Sequence, residues 1–458
     1  MNIIFSKMAT KCLFVSLVMI TCAGVSATKP NIIFILADDL GVECLGSYGS
    51  TFYKTPHLDK LAMSGMRFTR CYAGPSCTPS RIALMTGKYN HRNYINFAMM
   101  PPGERTVGHM LQTAGYRTCV VEKWQLHLGR EGVLPAEAGF DEHCLKAENT
   151  YWNAAITENG TPRKLDGTWY GPDVCNEYAL KFIEANQNRP FFLYYAFNLP
   201  HFPHDATPDS PDITSRNDKR NFPSMVTYMD KLVGRVLKKI EDLGLERNTL
   251  VIFTGDNGTD AVIESPWRGG VRRGGKGSRR MQHSNVPLLI SWPGTVVQGK
   301  VCDELVDFTD IYPTLAEAAG VLAGEKELDG RSLLPAALGK PHPARDCVVS
   351  YFKGRDRPAN KNAGFFWIGN QHWKLDHTGD LFHLANDLLE ERPIRSSQDT
   401  AASKAARALF SEALVKLQID CRNLWVFDRS TITVKGKKPN VKLYGQPVWN
   451  EKTKEGGK

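Results

Sequence analysis

The residues of this chain best suited to chemistry stand directly after apolar runs. Asn31–Ala37 is followed at once by Asp38-Asp39, and Thr249–Phe253 by Thr254-Gly255-Asp256-Asn257-Gly258. Adjacent carboxylates repel, and leaving a buried run with both costs free energy unless a cation balances them. The second loop adds a carboxylate and an amide oxygen, with glycines that permit a tight turn. Asp38, Asp39, Asp256 and Asn257 together offer four hard oxygen donors, which suit Ca2+ or Mg2+ rather than zinc. Taken singly, each pair is weaker evidence, since Asp-Asn-Gly is a common turn and Asp-Asp a common helix start.

Between the two acid pairs in sequence comes Cys77-Thr78-Pro79-Ser80-Arg81, ahead of the apolar-periodic Ile82–Met85. Pro79 near a helix start places the cysteine at a helix N-terminus, where backbone N–H groups favour an anion. Arg81 adds a permanent positive charge. An arbitrary cysteine is a small buried hydrophobe or half a disulfide, but this neighbourhood describes an activated, anion-facing site. Two further runs lead into cations: Thr118–Val121 into Glu122-Lys123-Trp124-Gln125-Leu126-His127, and Pro190–Phe197 into Pro200-His201-Phe202-Pro203-His204. Arg268 to Arg280 holds six cations in 13 residues around Lys276. Gly270 to Gly277 nearly matches a phosphate-binding loop, but Gly277 stands where Ser or Thr should coordinate Mg2+, which argues against nucleotide binding.

The elements needed to position these residues are legible. Asn31–Ala37, Thr118–Val121, Pro190–Phe197, Thr249–Phe253 and Val286–Trp292 are too short for helices and rich in β-branched or aromatic residues, as buried strands are. Between them, Thr106–Thr113 closed by Gly115, Asp173–Asn186 with an acidic N-cap, and Ser224–Leu243 ending at Gly244 carry helix signals. Strands alternating with helices predict an α/β fold with a large, mainly parallel central sheet. In such sheets ligands bind beyond the carboxyl ends of the strands. After about residue 345 the pattern changes: Phe365–Ile368, Trp373–Asp376 and Asp380–Leu384 predict a small antiparallel sheet, with a helix near Ala401–Leu417 packed on it. The expected organisation is a signal peptide over 1–27, a catalytic domain over 28–345 and a small C-terminal subdomain over 346–458.

The signal peptide rests on Lys7 and Lys11, the apolar run Cys12–Ile20, and Val25-Ser26-Ala27 before the cleavage point. That run is far shorter than the ~20 residues of a membrane span, and no second stretch is long enough. The expected destination is the periplasm or the exterior, without stable membrane insertion. Cleavage removes two lysines and no acids, taking the formal charge from +9 to +7, and leaves 9 of 11 cysteines. An odd count in an oxidising compartment implies at least one cysteine outside any disulfide. The basic residues cluster near Lys276 and in the lysine-rich end from Val434, with no recognition motif, so a nucleic-acid partner is not expected.

Cys77-Thr78-Pro79-Ser80-Arg81 has the Cys-x-Pro-x-Arg form of the formylglycine motif, and with it the chain resembles the type I sulfatases of the alkaline phosphatase superfamily. The resemblance extends to Asn31–Gly41, Gly87-Lys88-Tyr89, Ala114–Thr118, Gly255–Gly258, Pro200-His201, Gly275-Lys276-Gly277 and Gly379–Leu384. It implies a sulfuric ester hydrolase of an organic sulfate, with Cys77 oxidised to formylglycine (3-oxoalanine) by a formylglycine-generating or sulfatase-maturating enzyme. Asp38, Asp39, Asp256 and Asn257 would bind Ca2+, with Mg2+ second, and the hydrated aldehyde from Cys77 would complete the site. Arg81 would stabilise that hydrate, and Lys123, His201 and Lys276 would hold the sulfate. A sulfate ester resists attack because its oxygens are anionic, and a cation-rich pocket offsets that charge in the transition state. A diol can then expel sulfate by reforming its aldehyde, which a serine could not do.

Two departures from the family pattern stand out. Gln125 occupies the place of the histidine that contacts the diol, and Met281-Gln282-His283-Ser284-Asn285 replaces the common Glu-Gly-Gly-Val-Arg. A neutral glutamine cannot accept a proton. If the segment is extended, Lys123, Gln125 and His127 share a face, making His127 the nearest substitute, with His204 and His201 as others. The cationic segment around Lys276 points to a sulfated carbohydrate as substrate. A phosphonate or phosphate monoester hydrolase, or an inactive sulfated-glycan-binding protein, are the competing readings.

Overall fold

The computed structural model describes residues 29–418 apart from 129–130, 216–218, 322–327 and 353–363. The expected signal peptide and the lysine-rich end lie outside the described residues. Among those described, no helix is long and apolar enough to cross a membrane, and the cysteines are free thiols.

The strands in chain order are β1 (Asn31–Ala37), β2 (Met66–Tyr72), β3 (Arg117–Glu122), β4 (His127–Leu128), β5 (Glu131–Gly132), β6 (Glu142–Lys146), β7 (Ile156–Glu158), β8 (Thr161–Pro162) and β9 (Phe191–Ala196). They continue as β10 (Thr249–Gly255), β11 (Glu264–Trp267), β12 (Gly270–Arg273), β13 (Asn285–Ser291), β14 (Lys300–Asp307), β15 (Val348–Phe352), β16 (Phe365–Gly369), β17 (Trp373–Asp376) and β18 (Leu381–His383). A ten-stranded sheet has the order β14-β2-β13-β10-β1-β9-β3-β6-β7-β8. Its centre, β10-β1-β9-β3-β6, is parallel.

The central strand shows why both faces are apolar. Side chains alternate along a strand, so Ile32, Phe34 and Leu36 enter one core while Ile33, Ile35 and Ala37 enter the other. Helices Cys77–Thr86, Val107–Thr113 and Ile311–Ala318 cover the first face with Leu84, Leu111 and Leu315. Helices Pro56–Met63, Gly171–Ala185 and Phe222–Asp242 cover the second with Leu61, Phe182 and Met229. This is the expected α/β sandwich.

The five predicted strands are present, but the sheet is wider than they imply. β2 alternates buried Met66 and Phe68 with half-buried Arg67 and Thr69, so no continuous apolar run marks it. β13 is antiparallel to both β10 and β2. The helix expected to open with Asp173 as N-cap begins earlier, at Gly171; Pro172 supports its start and Asp173 sits inside the first turn. Gly270–Arg273 pairs with β11 as a hairpin, and no α-helix follows it before β13, which disposes of a phosphate loop.

The second sheet runs β15-β16-β17-β18, all antiparallel. Helix Ala401–Lys416 packs Phe410 and Leu414 on Ile368, Leu375 and Leu381. Val348, Phe365 and Trp367 join Met281 and Leu305 of the large body in a separate apolar cluster, so the small sheet abuts the segment that follows Lys276.

Close packing at the strand ends gives a test. A Cβ at Gly255, the last residue of β10, would lie 2.3 Å from the carbonyl oxygen of Leu40. We expect Gly255→Ala to lower the unfolding free energy by ~1–3 kcal/mol. An unchanged urea midpoint would show that the loop after β1 yields freely.

Candidate active site

Register brings the chemistry to one edge. Ala37 pairs with Gly255 and Leu36 with Ala196, which in turn pairs with Glu122. Asp38, Lys123, Asn198 and Asp256 therefore leave the sheet at nearly one level, at its carboxyl edge. The backbone turns sharply there: Asp39 has φ 63° and Glu122 φ 81°, conformations that non-glycine residues seldom adopt. Asp38 N–H donates to Leu199 O at 3.1 Å and Asp256 N–H to Ala37 O at 2.9 Å, which ties the exits together.

Cys77 is the first residue of its helix, and its Sγ donates to Asp38 Oδ1 at 3.3 Å. One turn on, Arg81 grips Asp256 Oδ2 through Nε at 3.2 Å and Nη2 at 2.8 Å, both side chains fully buried. Its Nη1 donates to Lys123 O at 3.3 Å, and Lys123 Nζ pairs with Asp38 Oδ2. Lys276 Nζ lies 2.6 Å from Asp39 Oδ1, an oxygen that also accepts from Asn257 Nδ2 at 2.7 Å. His201 Nε2 approaches Asp39 Oδ2 to 3.8 Å and is partly open, 17% exposed.

Two buried oxygens in this cluster, Asp39 Oδ2 and Asn257 Oδ1, have no hydrogen-bond partner. One ligand atom each from Asp38, Asp39, Cys77 and His201 lies within 4.8 Å of the others. Orphaned buried acceptors are costly; this group holds two carboxylates, a thiol and an imidazole, and its paired acids with the unpartnered oxygens of Asp39 and Asn257 fit a hard divalent cation.

The charges reinforce one another. Burial alone would raise the Asp38 carboxyl, but Lys123, then His201, Lys276 and Arg81, outweigh it and hold it well below the ordinary range. Burial, then the charge of Asp38, raises Asp256. Burial also pushes the Cys77 thiol well up, with Asp256 and Asp38 adding to it. Burial opposes the Lys276 charge, yet Asp39 more than restores it.

Sequence reasoning missed a second layer behind Asp38. Asn198 Nδ2 donates to Asp38 Oδ2 at 3.3 Å, while Lys146 Nζ donates to Asn198 Oδ1 at 2.9 Å and so fixes the amide's orientation. Asn198 has the same after-strand position as the acids; attention to charged and thiol groups passed over it. Glu122 accepts from Asn198 N–H at 3.1 Å, and burial lifts it to about 7 against the pull of Lys146.

The structure does not give His127 the setting expected of it. β3 ends at Glu122, and positive φ at Glu122 and at Gln125 (53°) breaks the extended alternation that would align Lys123, Gln125 and His127. His127 instead opens the short β4–β5 hairpin. Gln125 is buried, with Nε2 on Glu148 Oε2 at 3.3 Å. His204 stands edge-on to Phe202 and Phe222.

Buried oxygen donors ringed by cations beside a helix N-terminus suit an anionic group, and the comparisons agree. The family model for Sulfatase matches residues 30–321. The chain is 31% identical to arylsulfatase A of Bos taurus over 94% of this chain and 96% of that one. It is 31% identical to N-acetylgalactosamine-6-sulfatase of Canis lupus familiaris over 78% of this chain and 76% of that one. The crystal structure of Ps i-CgsB in complex with k-i-k-neocarrahexaose aligns with a TM-score of 0.72 at 28% identity, covering 88% of this chain and 96% of that one. The chain belongs to the sulfatase family: it is a hydrolase of sulfate esters on the alkaline-phosphatase-like fold.

Glu122 provides a pH test. Its folded-state value of about 7 exceeds the ordinary 4.5, so between those values the folded protein binds the extra proton. Stability from this group therefore declines as pH rises through that window, by at most about 1.4 kcal/mol per pH unit. Glu122→Gln should remove that decline, measured as the pH dependence of its unfolding free energy relative to the parent. Parallel profiles would show that Glu122 ionises normally in the fold.

Proposed function

We propose that this sulfatase is an exported enzyme that removes sulfate from carbohydrate esters, using Cys77 oxidised to formylglycine, with Ca2+ as its cation. The observation that carries the reading is the placement of Cys77 at a helix N-terminus, in contact with Asp38 and inside the cage closed by Arg81, Lys123 and Lys276. Maturation by a formylglycine-generating or sulfatase-maturating enzyme is part of the proposal, as is a leader over residues 1–27.

Asp38, Asp39, Asp256 and Asn257 would hold the Ca2+, which satisfies the orphaned oxygens of Asp39 and Asn257. Once bound there, the cation would neutralise charge on the sulfate, and formylglycine at position 77 would supply, as its hydrate, a hydroxyl nucleophile with a second hydroxyl for release. Arg81, locked on Asp256, keeps a fixed positive charge against the Cys77 position. Lys123 and Lys276 are oriented by Asp38 and Asp39 and offer their remaining N–H donors to sulfate oxygens. His201, partly open to solvent beside Asp39, donates a proton to the leaving alkoxide. Of the histidines considered for proton transfer, it is the one with a contact to the acid cluster.

A carbohydrate substrate is supported by the N-acetylgalactosamine-6-sulfatase relative and by the oligosaccharide complex on the same fold. It is also supported by the cations of Arg268–Arg280, a segment able to draw in an anionic chain.

In active protein, the peptide bearing Cys77 should carry oxygen in place of the thiol sulfur and two hydrogens, read by mass spectrometry. Cys77→Ala should reduce turnover to background, and active enzyme with only an unmodified thiol would defeat the mechanism. Chelation should abolish activity, with Ca2+ restoring it better than Mg2+. On an anionic sulfated oligosaccharide, kcat/KM should fall steeply with added salt; a salt-insensitive rate would count against the carbohydrate assignment.

A further inference from the structure

Lys276 reaches Asp39 from an irregular loop, Gly274–Arg280, whose backbone is held from outside. Near Lys276, Gly277 N–H donates to Pro75 O at 2.7 Å, two residues before Cys77. Farther along, Lys374 Nζ donates to Arg279 O at 2.8 Å, and Glu390 Oε1 accepts from Met281 N–H at 2.6 Å. Lys374 lies on β17 and Glu390 in the segment after β18. The two form an ion pair with side chains no more than 2% exposed. Lys374 also sits over the Phe382 ring at 5.2 Å, and Glu390 has φ 55°.

A buried ion pair is by itself weak evidence for stability, because desolvation offsets the attraction. This pair does something an apolar replacement could not. Each partner has a second bond, and both second bonds go to the backbone where this loop ends, at residue 279 within it and residue 281 just after it. With Gly277 fixed to the Cys77 segment, the chain between residues 277 and 281 is fastened to both bodies.

We propose that the Lys374–Glu390 pair is a positioning device for Lys276, so that the C-terminal sheet takes part in the active site while touching neither substrate nor cation. The inference rests on the reading of Lys276 as a sulfate-binding residue, and the test separates the two.

The test measures kcat/KM on p-nitrophenyl sulfate for matured full-length protein, in the parental and Lys276→Ala backgrounds. Lys374→Met keeps the stem and removes the donor to Arg279 O. It should lower kcat/KM by ~10–10²-fold in the parent, the scale of a misplaced binding group. In the Lys276→Ala background the same change should cost less than ~2-fold, because coupled residues are non-additive. Glu390→Gln keeps an acceptor for Met281 N–H and removes the charge; it should show the same non-additivity at smaller size, and it serves if Lys374→Met does not fold. Equal losses in both backgrounds would mark a general structural defect and overturn the proposal, as would no loss in the parent. An unimpaired Lys276→Ala enzyme would instead overturn the role of Lys276.

Discussion

Three carboxylates removed from water at one sheet edge are the constraint around which this molecule is organised. Asp38, Asp39 and Asp256 are at most 1% exposed, and left alone they would take up protons or unfold their surroundings. Arg81, Lys123 and Lys276 oppose that, each from a different segment. The helix after Cys77, the exit of β3 and the loop before Met281 are thereby drawn to the same few ångströms. The acceptors left over on Asp39 and Asn257 have no hydrogen-bond partner, a need that a hard cation fits.

The fold makes this arrangement available through register. Parallel strands β10, β1, β9 and β3 end nearly level, so the residues after each share a rim although they are up to about two hundred positions apart in sequence. Both faces of the sheet are sealed by helices, which keeps the rim's inner side dry and its electrostatics strong. The backbone strain at Asp39 and Glu122 falls where the chain must turn into the site, and the dense hydrogen bonding around Asn198 and Lys146 holds those turns.

The small antiparallel sheet is less separate from this chemistry than its position late in the chain implies. It meets the large body through Met281, Leu305 and Trp367, and β17 meets the Lys276 loop directly through Lys374. The segment that departs from the family pattern, Met281 to Asn285, lies at this junction. Its substitution therefore alters a contact between two sheets.

Much of this was legible in the sequence because buried parallel strands and helix N-termini leave strong local signals. Asn31–Ala37 and Thr249–Phe253 announce themselves as continuous apolar runs, and the residues after them carry the acids. Cys77, Pro79 and Arg81 mark a helix start with an anion-facing site through local chemistry alone. β2 left no such signal, since its exposed and buried residues alternate, and neither did Asn198 or Lys146, whose importance lies in what they touch. His127 shows the converse: spacing alone aligned it with Lys123, and positive φ at Glu122 and Gln125 breaks the extended segment that this alignment needs. Sequence by itself determined which residue types were present, which runs had to be buried and what must follow them, because those depend on near neighbours. Only the tertiary structure decided which carboxylate met which cation, because that depends on strand register and on loops fastened from distant parts of the chain.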